Sequence, residues 1–372
     1  MNFRLGGYET NPWRPDCTSV RPVYGGKVIE VFGPYLVYEK LGVGGMAMVH
    51  RAKKRGIEGF EREVALKRLL PHVAEEPDAV ASFVREAKLV ALLQHQSIAH
   101  VYELGRVDGR YFIAMEYVEG YSVLELLRCA NATRVPLPIH VVLAILIELC
   151  DALEYAHTRI DDVTGAPLGI IHRDVSPSNL ILTYGGMLKI IDFGVAKAGP
   201  DPLKTESGKI KGKFGYMAPE ALRGGALDAR SDIFSAGVVA HELLTARRLF
   251  GSTYTFETIA NMHRGEIPAP SRRNPLVPAE LDQVVLTALE RDPADRWPSA
   301  GAMRDALHQV ALTCDFLATA DQTAAWLDDT FGEPELIISS GSGDPDPGWY
   351  GDTEVDTVYP LSTPTFSGAT PA

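Results

Sequence analysis

Two short stretches of the chain gather oxygen-bearing side chains in loops. In "HRDVSPSN", residues 172–179, an acid (Asp174) is followed by an amide (Asn179). In "LKIIDFG", residues 188–194, a second acid (Asp192) follows an apolar run. Because both stretches adjoin apolar, β-like runs, rigid strands would bring the two acids to loop positions. Carboxylate and amide oxygens are the ligands that Mg²⁺ prefers, with nucleotide phosphates completing the coordination shell.

A lysine and a glutamate further upstream are placed to form a buried ion pair. Lys67 ends the strand-like run "VALK", and Glu86 lies on the helix-like segment that follows. The helix neighbours of Glu86, Phe83 and Val90, are apolar, so Glu86 lies near the boundary of the buried stripe. A carboxylate in that position needs a cation partner. Taken alone, Lys67 could be an exposed lysine at a strand end, but Glu86 favours the pair.

A glycine-rich turn precedes both of these residues. "LGVGGMAMV", residues 41–49, places Gly42 and Gly44 between two strand-like runs. Glycines let backbone N–H groups approach phosphate oxygens without an intervening side chain. Ala47 stands where a G-x-G-x-x-G pattern has its third glycine, so the turn alone favours an ordinary hairpin over a phosphate-binding loop.

The net charge of −12 belongs to the C-terminal end of the chain. Of 48 acidic residues eleven follow residue 312, whereas all 36 basic residues precede it, so the first 312 residues (37 acidic, 36 basic) are nearly neutral. An acidic tail argues against nucleic-acid binding. No apolar run is long enough to span a membrane and the N-terminus lacks a signal-peptide core, so we expect a cytoplasmic protein. The four cysteines lack ligand spacing and are predicted to be reduced.

The order of the elements predicts an α+β fold with two lobes. Five strand-like runs, interrupted by one helix-like segment, occupy the first part of the chain, and helices dominate from Ser122 onwards. Residues beyond 331 shift to Gly, Pro, Ser, Thr and acid, which is typical of disorder. The predicted parts are an N-terminal leader (1–32), a β lobe (33–115), a hinge (116–121), a helical lobe (122–312), an additional helical segment (313–332) and an acidic, disordered tail (333–372).

Together these motifs resemble those of the eukaryotic-like protein kinases, specifically the bacterial serine/threonine branch. The likeness covers residues 32–312, about three quarters of the chain. Besides the features above, it includes "MAPE" at 217–220, "SDIFSAG" with Asp232 and "DPADRW" with Arg296. Several separated motifs in one order make the resemblance specific. It implies a bilobal protein kinase domain over residues 33–312, with a small antiparallel β lobe carrying one helix and a larger, mainly helical lobe.

The resemblance implies ATP and Mg²⁺ as cofactors and protein Ser/Thr hydroxyls, including those of the chain itself, as acceptors. Asp174 would accept or orient the hydroxyl proton, while Lys67, paired with Glu86, would hold the α and β phosphates. Asn179 and Asp192 would hold Mg²⁺. The implied nucleotide-binding positions are Leu41, Gly42, Gly44, Val49, Ala65, Lys67, Glu86, Met115, Glu116, Val118, Asn179, Leu182 and Asp192. Glu220, Arg296 and Asp232 are implied to be scaffold positions.

The sequence departs from this family's pattern at two positions. Ser176 stands where the serine/threonine kinases typically have a lysine, and Lys213 stands where the segment before "APE" usually has a threonine. We therefore predict an exchange in which Lys213 supplies the catalytic ammonium that Ser176 lacks. The alternative is a solvated Lys213 and a slower enzyme.

Two further classes of protein stay open beside an active kinase in bacterial signalling. A pseudokinase would bind nucleotide as a scaffold without useful catalysis, although Lys67, Asp174, Asn179 and Asp192 are the groups that pseudokinases usually lack. A small-molecule kinase of related fold would lack the "APE" segment present here. No G-x-x-x-x-G-K-[ST] motif occurs, which argues against a P-loop ATPase.

Overall fold

A computed structural model describes residues 28–193, 213–251 and 255–332, without the side chains of residues 213, 255, 256 and 264. Within the described residues, the N-terminal lobe is one antiparallel sheet of six strands in the order β1-β2-β3-β4-β6-β5, with a single α-helix inserted before β5. Its elements are β1 (Glu30–Phe32), β2 (Tyr35–Val43), β3 (Ala47–Arg55), β4 (Glu61–Leu69), α1 (Pro77–Val90), β5 (Val101–Val107) and β6 (Arg110–Glu116).

Close aromatic packing fixes the core of this sheet. The ring of Phe112 meets those of Phe32 and Tyr35 edge-on, with centroids 5.7 and 5.2 Å away. A Cβ atom at Gly105 would lie 2.5 Å from the Phe112 ring, so this position in β5 requires glycine. The strand β4 is buried along its second half because the lobe covers both of its faces there.

The larger lobe is mainly helical. A three-stranded antiparallel sheet, ordered β7-β8-β9, lies at its boundary with the smaller lobe. The elements are β7 (Gly120–Ser122), α2 (Val123–Thr133), α3 (Ile139–Thr158), β8 (Leu180–Thr183), β9 (Leu188–Ile190), α4 (Pro219–Leu222), α5 (Ala229–Thr245), α6 (Thr255–Arg264), α7 (Ala279–Ala288), α8 (Ala300–Thr313) and α9 (Ala320–Phe331).

Two long helices form the centre of this lobe. In α5 every residue from Ser231 to Thr245 is buried, and α3 contributes eleven buried side chains. Gly237 lets α5 approach α7, since a Cβ atom there would lie 2.9 Å from that of Ala288. The predicted α+β, two-lobed fold with helices dominating its second part is therefore confirmed.

Several details differ from the sequence-based expectations. The strand β1 lies within the segment predicted as an N-terminal leader. Cys129 is disulfide-bonded, so the expectation of four reduced thiols was wrong, whereas Cys150 and Cys314 are free. No helix among the described residues is long and apolar enough to span a membrane. The predicted domain boundaries stay predictions, and the tail from residue 333 lies outside the described residues.

Candidate active site

Lys67 contacts two carboxylates, one in its own lobe and one in the larger lobe. Its Nζ atom lies 2.8 Å from Glu86 Oε1 on α1 and 2.5 Å from Asp192 Oδ1, just beyond β9. All three side chains are largely buried, with exposed fractions of 10%, 13% and 18%. The pair that the sequence predicts between Lys67 and Glu86 is thus formed, and it includes a second acid.

The charges of this group are mutually dependent. Burial alone would lower the pKa of Lys67, but the adjacent Asp192 and Glu86 carboxylates outweigh it and hold that pKa above its ordinary value. Burial raises the pKa of the Glu86 carboxyl, and the negative charge of Asp192 acts in the same direction. Lys67 is therefore held as a cation by the two carboxylates that it contacts.

The loop from residue 172 to 179 places Asp174 and Asn179 against each other. Asn179 Nδ2 donates to the backbone carbonyl of Asp174 at 2.8 Å and to its Oδ2 atom at 3.0 Å. The Ile191 N–H donates to the Asn179 carbonyl at 2.9 Å, which holds Asp192 next to this loop. The two acid-bearing stretches of the sequence therefore meet in space.

Asp232, on α5, anchors the backbone of the same loop. Its Oδ2 and Oδ1 atoms accept the N–H groups of His172 and Arg173 at 2.7 and 2.8 Å, and His157 Nε2 lies 2.8 Å from Oδ2. Arg173 has a φ of 63° and Asp192 a φ of 52°. Such conformations are costly for residues with a side chain and persist where the surroundings impose them, often at functional sites.

The predicted nucleotide-binding residues line up across neighbouring strands. The strand register pairs Gly42 with Val49, and Val49 with Lys67. Ala65 pairs with Met115, at the end of the sheet where β6 leads to the hinge. Five of the predicted nucleotide-binding positions are apolar and almost fully buried, namely Val49, Ala65, Met115, Val118 and Leu182.

A protein kinase domain model matches residues 35–309 of the chain. This chain is a member of the protein kinase family. The resemblance drawn from the motifs is thereby confirmed. Within the family, it is 41% identical over 313 residues to a Myxococcus xanthus protein named tyrosine-protein kinase MasK, covering 84% of this chain and 48% of that protein.

Other relatives carry serine/threonine kinase names. The chain is 34% identical over 282 residues to the serine/threonine-protein kinase PknB of Mycobacterium leprae, covering 74% of the chain and 43% of that protein. It is 33% identical over 273 residues to PrkC of Bacillus subtilis, covering 73% and 40%. The chain thus spans less than half the length of these relatives.

A solved kinase domain has a similar fold. The crystal structure of the Mycobacterium tuberculosis PknI kinase domain aligns with a TM-score of 0.56 and 30% identity, covering 77% of this chain and 99% of that domain. The match supports the bilobal kinase architecture described above.

The kinase signature residues Glu220 and Arg296 form a buried bidentate pair. The two terminal guanidinium nitrogens of Arg296 each lie 2.8 Å from an oxygen of the Glu220 carboxylate, and the Arg296 side chain is fully buried. Burial would raise the pKa of Glu220, but the hydrogen bonds from Arg296 outweigh it and lower that pKa. The predicted scaffold pair is thus formed.

At the position where this chain departs from its family's pattern, Ser176 is 2% exposed and its Oγ atom lies 3.1 Å from Ser178 Oγ. Ser176 therefore adds no charge to the catalytic loop. Lys213 begins a short 3₁₀ turn, and its side chain lies outside the described residues. The predicted exchange between these two positions stays a prediction.

Some contacts in and around the site could not be predicted from the sequence. Glu116, predicted as a hinge residue for adenine, also pairs through its carboxylate with Lys189 at 2.8 Å. Tyr216 donates to the buried Glu242 at 2.6 Å. These partners lie 73 and 26 residues apart, so no local spacing pattern could have indicated them.

Proposed function

We propose that this chain is a serine/threonine protein kinase that transfers the γ-phosphate of ATP, with Mg²⁺, to protein hydroxyls, including its own. The observation that carries the proposal is Lys67 within hydrogen-bonding distance of both Glu86 and Asp192. This arrangement joins β4, α1 and the Asp192 loop around one cation, as phosphate positioning requires. The cytoplasmic location inferred from the sequence stays a prediction.

The residues present fit a magnesium ion bound together with nucleotide phosphates. Asn179 and Asp192 offer neutral and charged oxygen ligands from adjacent loops, held together by the hydrogen bond from Ile191 N–H to the Asn179 carbonyl. No group of three or more His, Cys, Asp and Glu side chains within the described ranges could hold a metal by itself. An ion completed by phosphate oxygens is consistent with this sparse set. When bound, Mg²⁺ would neutralise charge on the phosphates.

The chain's own residues would act mainly by positioning. Lys67 would bind the α and β phosphates, and Glu86 would hold Lys67 in place. Asp174 would orient the acceptor hydroxyl and take up its proton, while the Asn179 amide fixes the orientation of Asp174. Adenine would lie among the buried apolar positions Val49, Ala65 and Leu182 and exchange backbone hydrogen bonds with Glu116 and Val118 at the hinge.

Tyrosine phosphorylation is a second candidate for the acceptor specificity. It is favoured by the 41% identity to a relative named as a tyrosine kinase and by Ser176, which departs from the serine/threonine pattern. Serine/threonine specificity is favoured by the names of the other relatives and by Pro177, which the serine/threonine form of this loop retains.

Phosphate transfer with residue-level product analysis tests the proposal. The full chain is incubated with radiolabelled ATP and Mg²⁺, alone and with a generic protein substrate, and phosphosites are located by mass spectrometry. We expect label on serine and threonine, abolished by Asp174→Asn and by Lys67→Met. Label confined to tyrosine would establish the second candidate. No transfer, together with stabilisation by MgATP, would identify a pseudokinase scaffold.

A further inference from the structure

We propose that helix α9 supports the adenine end of the nucleotide site and that Phe331 is its main positioning residue. The inference rests on the proposed function, because it takes Glu116, Val118 and Leu182 as the adenine contacts. The helix lies beyond residue 309, where the match to the kinase domain model ends. The helix α9 is therefore an element outside the part of the chain that the family match covers.

The helix α9 is a fully formed element with sequence-encoded ends. Thr319 and Gln322 form a reciprocal capping box at its start, with hydrogen bonds of 3.2 and 2.9 Å. At its end Gly332 adopts a φ of 75°, and its N–H donates to the Asp328 carbonyl. One stripe of the helix is buried, namely Thr323, Leu327, Thr330 and Phe331. A helix with both ends specified in this way can act as a rigid support.

Aromatic packing joins the end of α9 to the strand that leaves the hinge. The Phe331 ring lies 4.5 Å from that of Tyr121 in β7, and Trp326 meets Phe331 edge-on at 6.4 Å. Tyr121 in turn contacts Tyr184 at 5.5 Å, just beyond β8. Because Phe331 and Tyr121 are 1% and 2% exposed, neither ring can move without opening a cavity.

The start of α9 presses on the turn between β8 and β9. A Cβ atom at Gly186 would lie 2.0 Å from the carbonyl oxygen of Ala320 and 2.7 Å from the Ala324 nitrogen. These two atoms belong to the helix backbone, so no side-chain rotation could relieve the clash. At the adjacent Gly185 the nearest atom would be 3.8 Å away, which leaves room for a methyl group. The helix thus contacts the small sheet at both of its ends.

The small sheet carries these contacts to the adenine positions. Tyr121 pairs with Leu182 in the register of β7 and β8. Gly120 lies so close to β8 that a Cβ atom there would be 2.3 Å from the Leu182 carbonyl. Val118 precedes this strand by two residues. A displacement of Tyr121 therefore shifts both Leu182 and the hinge next to the adenine site.

The test compares nucleotide affinity and turnover in full-chain variants. Phe331→Ala should raise the KM for ATP about threefold to tenfold while changing kcat less than about twofold, because uniform binding is lost and the reacting groups are untouched. Phe331→Leu should restore most of the affinity. Leu307→Ala, at a buried site on α8, serves as the control that leaves the KM for ATP unchanged.

A change in KM shared equally by Phe331→Ala and Leu307→Ala would overturn the proposal, as would an unchanged KM in Phe331→Ala. Where Phe331→Ala does not fold, Trp326→Ala takes its place under the same criteria. Calorimetric binding of MgADP separates the two proposals. If the wild-type chain binds MgADP but transfers no phosphate, the function fails while the same comparison of Kd values still decides the role of α9. If it binds no MgADP, both fail.

Discussion

The Asn179 amide nitrogen donates to Asp174 twice, at 2.8 Å to the backbone carbonyl and at 3.0 Å to Oδ2. This contact decides which way the amide faces. With Nδ2 directed to Asp174, the Oδ1 atom is the part of Asn179 left to bind a metal, contacted by Ser178 Oγ only at 3.5 Å. Asn179 thus orients Asp174 through its amide nitrogen and offers its amide oxygen as a metal ligand.

The double role of Asn179 predicts different outcomes for two substitutions. Asn179→Asp keeps an oxygen ligand but places an acceptor against Asp174, so we expect kcat to fall about 100-fold or more with little loss of Mg²⁺ affinity. Asn179→Ala removes both functions and should also raise the Mg²⁺ concentration needed for half-maximal rate. Ser178→Ala is the control and should retain most activity. Wild-type kcat in Asn179→Asp would contradict this assignment. Initial rates across a Mg²⁺ titration provide the measurement.

The sequence was sufficient for the order of the two lobes and for the Lys67–Glu86 pair, because both depend on local pattern. A short run of strand-forming residues predicted β4 with Lys67 near its end, and the helical spacing of Phe83 and Val90 placed Glu86 towards the buried side of α1. The pairing of Lys67 with Glu86 followed, because a buried carboxylate needs a cation.

Contacts between distant segments could not be predicted in the same way. The second partner of Lys67, Asp192, lies 125 residues away, and His157 reaches Asp232 across 75 residues. Their meeting depends on how the lobes and helices pack, for which no single-sequence pattern exists. The docking of Phe331 on Tyr121 is missed for the same reason, since an apolar stripe predicts burial without naming the surface that covers it.

The exchange between Ser176 and Lys213 predicts a specific pattern of rates. If Lys213 supplies the ammonium that neutralises the transferring phosphate, Lys213→Ala should lower kcat about 10-fold to 100-fold, and Ser176→Lys with Lys213→Thr should recover it. Ser176→Lys alone tests whether a lysine fits where Ser176 is now buried against Ser178. Lys53→Ala, which breaks a partly exposed pair with Glu61 in the N-terminal sheet, is a control for loss of a lysine. Unchanged turnover in Lys213→Ala would exclude the exchange.

The buried Arg296–Glu220 pair predicts a large loss of stability when one partner is removed. Arg296→Met leaves the Glu220 carboxylate without its cation, along with backbone carbonyls of Arg230 and Glu290, so the free energy of unfolding should fall by about 3–5 kcal/mol. Arg272→Met breaks an exposed pair with Glu266 and should cost less than about 1 kcal/mol. Denaturant unfolding of both variants provides the comparison, and similar losses would contradict a structural role for the buried pair.

The buried Glu242 predicts a pH-dependent contribution to stability. Burial raises the pKa of its carboxyl to about 7, although Tyr216, Arg248 and the Leu249 N–H favour the ionised form. A carboxyl whose folded-state pKa is raised binds more protons folded than unfolded, so the free energy of unfolding falls as pH rises from about 4.5 to about 7 and is level above that. Each unit of the difference in pKa corresponds to about 1.4 kcal/mol.

Glu242→Gln removes this titration while keeping the volume of the side chain. Because other groups titrate alike in both proteins, the stability of the wild type relative to Glu242→Gln should decline between pH 5 and 7 and stay constant from pH 7.5 to 8.5. Tyr216→Phe removes the donor that lies 2.6 Å from the carboxylate, which should raise the pKa of Glu242 further and extend the decline to higher pH. Denaturant unfolding at several pH values measures all three proteins. Parallel pH profiles would mean that Glu242 is ionised in the folded protein throughout this range, held by Tyr216, Arg248 and the Leu249 N–H against the cost of burial.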